Sequence, residues 1–202
     1  MNSGRTRALP PTVDVGDNRK AMAHRLRTLL CLLLASAAPA THAEIKAAAS
    51  DGFLIVHSGR IDAGPARIYA LLPSIGRWWS SSHTYSGNAA NLTLEPEAGG
   101  CFCERWKDGA VAHGRVILAL RDQILRIDTA LGPLQGKAVT GMLSFQLVPD
   151  GNATLLTLAY RVNGASGSAL DKDAPAVDRV LGEQFARLVR LAETGKPDPP
   201  AP

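Results

Sequence analysis

The stretch GGCFCERWKDGAVAHGRV, residues 99–116, decides the fold because it predicts a β-hairpin in the middle of a sheet. A first strand covers 101–107 and a return strand starts at Ala110. Between them stands Asp108-Gly109, a pair typical of a two-residue type I′ turn, in which both central residues have positive φ. The sequence therefore predicts a tight hairpin with a fixed register.

This register predicts that Glu104 faces His113 across the hairpin. Side chains alternate along a strand, so one face carries six residues: Phe102, Glu104, Trp106, Val111, His113 and Arg115. A carboxylate opposite an imidazole and beside aromatic rings is typical of an acid–base pair that moves a proton on a bound ligand. The alternative is a structural cross-strand pair.

The rest of the chain predicts an α+β domain with about six or seven antiparallel strands before one long helix. The helix, 174–194, has apolar residues at helical spacing and ends at Gly195. One helix on such a sheet predicts a cavity between them, with two short helices closing its open end. Strands are predicted at 52–62, 92–95, 101–107, 110–118, 124–130, 139–148 and 153–162, and the short helices at 65–72 and 74–79.

The N-terminal region predicts export. Residues 22–43 have a basic start, an apolar run and a small-x-small end at Thr41-His42-Ala43, the three parts of a secretory signal peptide. The apolar run is too short for a stable membrane span. We expect a periplasmic or secreted protein made by a bacterium. The remaining divisions are a disordered or mis-annotated extension (1–21), a linker (44–51), the domain (52–195) and a disordered tail (196–202).

The charge distribution argues against a nucleic-acid partner. Residues 1–43 contain six basic and two acidic side chains, which account for the whole formal charge of +4. The remaining residues are neutral overall, so no basic surface is predicted there. The sequence also lacks the motifs GxGxxG before a helix, GxxxxGK[ST], HExxH and GxSxG. With three histidines after the leader, we expect neither a metal nor a cofactor.

Two cysteines follow the predicted leader. Cys101 and Cys103 lie two apart on one strand, so they point the same way but are too far apart for an easy disulfide. A metal site would need more soft ligands than this pair. We expect small apolar side chains packed in the sheet.

Several segments together resemble the SRPBCC (START-like, helix-grip) superfamily, which includes polyketide cyclase/dehydrase-like proteins and relatives of the heat-shock-protein ATPase activator. The resemblance covers about residues 52–194. It implies a curved sheet around the C-terminal helix, and a deep cavity for a hydrophobic or aromatic small molecule. The segments are RWWSSSHTYSG (77–87), EAGGCFCERWKDG (97–109), HGRV (113–116), ALGPLQ (130–135) and VDRVLGEQFARL (177–188).

Besides the pair Glu104 and His113, eight residues are candidates for ligand contact. Adjacent tryptophans on a short helix cannot point the same way, so one is expected in the core and one at the cavity mouth. Gln184 lies in the middle of the apolar helix stripe and needs a partner, either a protein group or a ligand. The eight are Trp78, Trp79, His83, Tyr85, Phe102, Trp106, Tyr160 and Gln184.

Three functions fit these observations. The first is an exported binding protein that holds a hydrophobic small molecule. The second is a cyclase/dehydratase-type enzyme that uses Glu104 and His113, and the third is an interaction protein with a filled cavity. A cavity lined by Glu104, His113 and Gln184 together favours the enzyme, an apolar cavity favours the binding protein, and no cavity favours the third. The oligomeric state stays open.

Overall fold

One antiparallel sheet of eight strands forms the body of the structure, a computed structural model that describes residues 42–199. A long C-terminal helix packs against it, which confirms the predicted α+β helix-grip architecture. The strand order is β1-β2-β8-β7-β6-β5-β4-β3. The strands are β1 (His42–Ala49), β2 (Gly52–Ile61), β3 (Leu92–Leu94), β4 (Cys101–Trp106), β5 (Gly109–Leu120), β6 (Ile124–Thr129), β7 (Thr140–Asp150) and β8 (Ala153–Asn163), and the helices are α1 (Pro65–Leu71) and α2 (Leu170–Thr194).

Strand β1 covers most of the segment interpreted from sequence as a linker, 44–51, and pairs with β2. It also includes His42 and Ala43, the last residues of the predicted leader. The rest of the leader and the extension before it lie outside the described residues. Over the part of the chain that the structure describes, no helix has the length and apolar character needed to cross a bilayer.

The core lies between the inner face of the sheet and α2. Alternate residues of β8 are buried, among them Leu156, Leu158 and Tyr160. Helix α2 supplies a matching stripe at helical spacing, with Leu181, Phe185 and Leu188 buried against the sheet. The alternation and spacing read from sequence are the same patterns that build this core.

Helix α2 begins four residues before the predicted start at 174. Pro175 therefore lies inside the helix instead of opening it. At this position in the second turn, proline cannot donate the helical hydrogen bond to the carbonyl of Asp171. The other end is as predicted: Gly195 has φ of 80° and its N–H donates to the Leu191 carbonyl at 3.0 Å.

The residues that follow α2 contact the helix. Arg190 Nε donates to the Pro197 carbonyl at 2.8 Å, and Arg187 pairs with Asp198. Pro197 and Asp198 belong to the segment predicted as a disordered tail (196–202), of which 200–202 lie outside the described residues.

The expectation of two free cysteines is wrong, because a disulfide joins Cys101 and Cys103. Residues two apart in an extended strand are separated by about 6.7 Å. Here the two Cα atoms are 5.5 Å apart, within the ordinary range for a disulfide. A β-bulge between β4 and β5 interrupts the regular pairing at Phe102/Cys103, beside the disulfide.

Candidate functional site

The β4–β5 hairpin turns one residue earlier than the sequence predicts, which shifts the pairing of the two strands by two residues. Trp106 pairs with Gly109, so Lys107 and Asp108 form the loop, and Glu104 pairs with Val111. None of the turn residues has the positive φ that a type I′ turn requires. The glycine serves another purpose: a Cβ at Gly109 would lie 2.4 Å from the Trp106 ring. The predicted register is therefore wrong.

The bulge nevertheless brings Glu104 and His113 together. Cys103 pairs with Ala112 and Phe102 pairs with Gly114, which leaves His113 as the extra residue of β5. From this position its Nε2 lies 3.0 Å from Glu104 Oε2, and both side chains are buried. The predicted pair exists, but it is a diagonal contact at a bulge and not a directly opposed one.

The carboxylate of Glu104 also holds a loop in place. We call residues 75–91, between α1 and β3, the lid segment; it contains three single 3₁₀ turns, Ile75–Arg77, Ser81–His83 and Ala89–Asn91. Two of its backbone N–H groups donate to the carboxylate, that of Tyr85 at 3.1 Å and that of Ser86 at 2.5 Å. Burial alone would raise the pKa of Glu104, but hydrogen bonds from Ser86, Tyr85 and His113 outweigh it and lower the pKa. Glu104 is thus ionised and fully engaged.

The imidazole of His113 lies among aromatic rings. The centroid of Phe102 is 4.8 Å away and that of Tyr85 is 5.9 Å away. Burial lowers the pKa of His113, and the neighbouring Glu104 carboxylate raises it only in part. The net direction is downward, so the ring is neutral at neutral pH.

A cavity of about 550 Å³ opens between the lid segment, the hairpin and α2. This volume lies within the range of sites that hold small molecules. Most of its lining is apolar or aromatic, and α2 contributes one wall. The lining residues are Trp79, Ser82, His83, Thr84, Tyr85, Leu92, Phe102, His113, Leu131, Gly132, Pro133, Leu134, Asp173, Ala176, Val177, Val180 and Leu181.

Helix α2 also holds the lid segment, through the side chains of two consecutive residues. Gln184 Oε1 accepts from the Ser80 N–H at 2.7 Å, and Glu183 lies 2.9 Å from His83 Nε2. Burial would raise the pKa of Glu183, but hydrogen bonds from Ser80 and His83 and the charges of His83 and Arg187 lower it. Two carboxylates and an amide therefore hold the middle of the lid segment from opposite sides, and the cavity below it is pre-formed.

The structure brings five of the ten predicted site residues into the cavity wall and leaves five outside it. Trp79 lines the cavity, donates to the His83 carbonyl at 2.9 Å and meets Phe102 edge to face. Trp78 lies in the core instead and donates to the Leu71 carbonyl at 3.0 Å. The lining set is Trp79, His83, Tyr85, Phe102 and His113, and the set outside it is Trp78, Glu104, Trp106, Tyr160 and Gln184.

Tyr160 does not line the cavity but supports a loop that does. Its hydroxyl donates to the Thr129 carbonyl at 3.1 Å and accepts from the Leu131 N–H at 3.0 Å. Burial raises the pKa of Tyr160 to about 12, so the hydroxyl keeps its proton. It fixes the start of the loop that follows β6, whose residues 131–134 line the cavity.

The sequence-based list missed most of the apolar lining. Val177 and Leu181 belong to the predicted helix stripe, and residues 131–134 form a predicted loop, so both signals were present. The sequence does not show how close the helix and the loop come to each other in the folded protein. Within residues 42–199 there is no cluster of three or more histidine, cysteine or acidic side chains that would hold a metal ion.

The comparisons with known proteins identify the fold. No family model and no curated protein matches the sequence. Among solved structures, a conserved protein of unknown function from Enterococcus faecalis, EF2215, has a TM-score of 0.51 at 16% identity, with 77% of this chain and 78% of that chain covered. A protein from Arthrobacter aurescens also has a TM-score of 0.51 at 16% identity, covering 76% and 90%. CalU16 from Micromonospora echinospora has a TM-score of 0.48 at 15% identity, covering 79% and 78%.

The chain shares a helix-grip-like α+β fold with the Enterococcus faecalis and Arthrobacter aurescens proteins. This agrees with the resemblance carried by the lid segment, the hairpin and α2. At these identities the likeness concerns fold alone, and fold does not determine chemistry. The function must be argued from the cavity.

Proposed function

We propose that this protein binds a hydrophobic, mainly aromatic small molecule in the cavity between α2 and the sheet. The observation that carries the proposal is the cavity itself: about 550 Å³, walled by aliphatic and aromatic side chains, with one buried imidazole. Such pockets bury most of a small ligand and use a few polar groups to orient it. A filled cavity, as an interaction protein would have, does not fit this geometry.

The arrangement of the rings favours a flat ligand. Trp79, Phe102 and Tyr85 all line the cavity, and the first two already meet edge to face at 5.9 Å. Aromatic rings prefer edge-to-face or offset contacts, which a further ring in the cavity would extend. The predicted signal peptide supports the further proposal that binding takes place in the periplasm or outside the cell.

The pair Glu104 and His113 supports binding better than turnover. Only His113 reaches the cavity, because Glu104 is occupied by two lid N–H groups and the imidazole. Gln184, the third residue of the enzyme hypothesis, accepts a hydrogen bond from the Ser80 N–H. In a cyclase/dehydratase reaction, His113 would have to act as the acid–base group without Glu104 or Gln184 in contact with the substrate.

Calorimetric titration of the purified protein with 2-methoxynaphthalene tests the proposal. Val180 on α2 lines the cavity, whereas its neighbour Arg179 is exposed and does not. We expect saturable 1:1 binding that is weakened about tenfold or more by Val180→Phe, since the larger side chain takes up cavity volume. Arg179→Phe is the matched control and should bind as the unmodified protein does.

Two results would contradict the proposal. One is the absence of binding to naphthalene-sized apolar probes together with no ligand in native mass spectra of the protein purified from its host. The other is binding that Val180→Phe and Arg179→Phe affect equally, because the ligand would then lie elsewhere.

A further inference from the structure

The hydrogen bonds around Glu104 determine which nitrogen of His113 carries the proton. An ionised carboxylate can only accept hydrogen bonds, so the imidazole must donate the 3.0 Å bond through Nε2. A neutral imidazole has one proton, which this bond places on Nε2. The other ring nitrogen, Nδ1, is then a bare acceptor.

This Nδ1 has no hydrogen-bond partner among residues 42–199. The buried side-chain atoms without a partner in that range are His57 Nε2 and Asp178 Oδ1, and His113 Nδ1 is not among them. It is therefore not fully enclosed by the described residues, and His113 lines the cavity of about 550 Å³.

The other polar side chains of the cavity wall lie nearer the surface and already have protein partners. Tyr85 donates to the Gly132 carbonyl at 3.0 Å, and Thr84 Oγ1 donates to the Ser81 carbonyl at 2.9 Å. All are half-buried or exposed, whereas His113 is 7% exposed. The remaining pairs are His83 with Glu183, Ser82 with Ser80, and Asp173 with Lys137.

We propose that the ligand is a neutral apolar molecule with one hydrogen-bond donor, a hydroxyl or N–H group, which donates to His113 Nδ1. This inference rests on the proposed function. A buried acceptor selects for a donor because a ligand without one leaves the acceptor desolvated and unpaired. An anionic ligand is disfavoured, because Glu104 places a carboxylate directly behind the imidazole. Glu104 is thus a positioning residue that fixes the tautomer.

A matched pair of probes tests this inference. 2-Naphthol and 2-methoxynaphthalene share the ring system, but only the first has a donor. By calorimetric titration at pH 7.5 we expect 2-naphthol to bind about fivefold more tightly, the ratio that one hydrogen bond between neutral groups supplies. In His113→Phe, which keeps a ring in the wall, the ratio should fall to one.

The outcomes separate this inference from the proposed function. If neither probe binds, the proposed function fails. If both bind equally to the unmodified protein, the cavity binds ligands but the donor preference is overturned; the same holds if the fivefold ratio persists in His113→Phe. A second measurement does not depend on a variant: nitrogen NMR of His113 should show the proton on Nε2, and a proton on Nδ1 would overturn the inference.

Discussion

Two buried histidines in this structure each face a carboxylate, yet only one of them forms a site. His113 and Glu104 are joined by a hydrogen bond of 3.0 Å at the cavity wall. His57 Nε2 on β2 also lies 3.0 Å from a carboxylate, Asp178 Oδ1 on α2. The second contact is close but poorly directed, since neither atom has a hydrogen bond of acceptable geometry. Distance alone does not distinguish the pairs.

Their surroundings do. Glu104 is fully buried and accepts from two lid N–H groups as well as from the imidazole. Asp178 is 27% exposed at its side chain, and His57 is enclosed by Gly182 and Phe185 of α2. One pair holds a loop in place and lies at the wall of a cavity. The other fills the space between a helix and a strand.

Truncating the two carboxylates should have unequal effects, and this is the largest difference we expect. Glu104→Ala leaves two buried N–H groups and an imidazole without their acceptor, so we expect a loss of about 3 kcal/mol in the free energy of unfolding. Asp178→Ala removes a misaligned and partly solvated contact and should cost about 1 kcal/mol or less. Urea denaturation of both variants measures this. Equal losses would show that the lid segment does not depend on Glu104.

The sequence predicted the strands and the helix that carry the two histidine–carboxylate pairs better than it predicted the contacts within each pair. Alternation in β7 and β8, the apolar stripe of α2 and the stop at Gly195 all rest on local periodicity, and the structure confirms them. Strand β1 was missed because its alanine-rich sequence has weak strand preference and overlaps the predicted leader.

The hairpin shows why the site was harder to predict. Asp108-Gly109 is a strong turn signal, but the glycine is needed beside the Trp106 ring, and the turn shifts by one residue. The bulge at His113 depends on a close approach to β6: a Cβ at Gly114 would lie 2.4 Å from the Asp128 carbonyl oxygen. Such contacts between strands distant in sequence leave no local pattern. They determine the diagonal pair.

A pH titration sharpens the comparison. Burial lowers the pKa of both His57 and His113, against the opposing effect of each carboxylate. The unfolded chain therefore binds more protons than the folded one once the pH falls below the ordinary value of about 6.5. We expect the free energy of unfolding to be greatest above pH 6.5 and to fall as the pH is lowered, by at most about 1.4 kcal/mol per pH unit for each histidine.

The same titration followed by NMR separates the two rings. Bound 2-naphthol stabilises neutral His113. It should therefore lower the pH at the midpoint of the His113 titration and leave the midpoint of the His57 titration unchanged. A stability that rises on acidification, or a ligand effect on both midpoints, would contradict this assignment.

The smallest expected effect concerns Gly182, which lies against His57 on α2. Glycine to alanine inside a helix ordinarily gains about 1 kcal/mol. Here the added Cβ would lie 3.1 Å from His57 Cε1, and the ring cannot move freely because Asp178 and Phe185 enclose it. We expect Gly182→Ala to change the free energy of unfolding by less than about 1 kcal/mol, since crowding offsets the helix gain.

The His57 resonances should shift, while the affinity for 2-naphthol stays within twofold, because neither residue lines the cavity. A larger change in affinity would mean that the structural pair is coupled to the site.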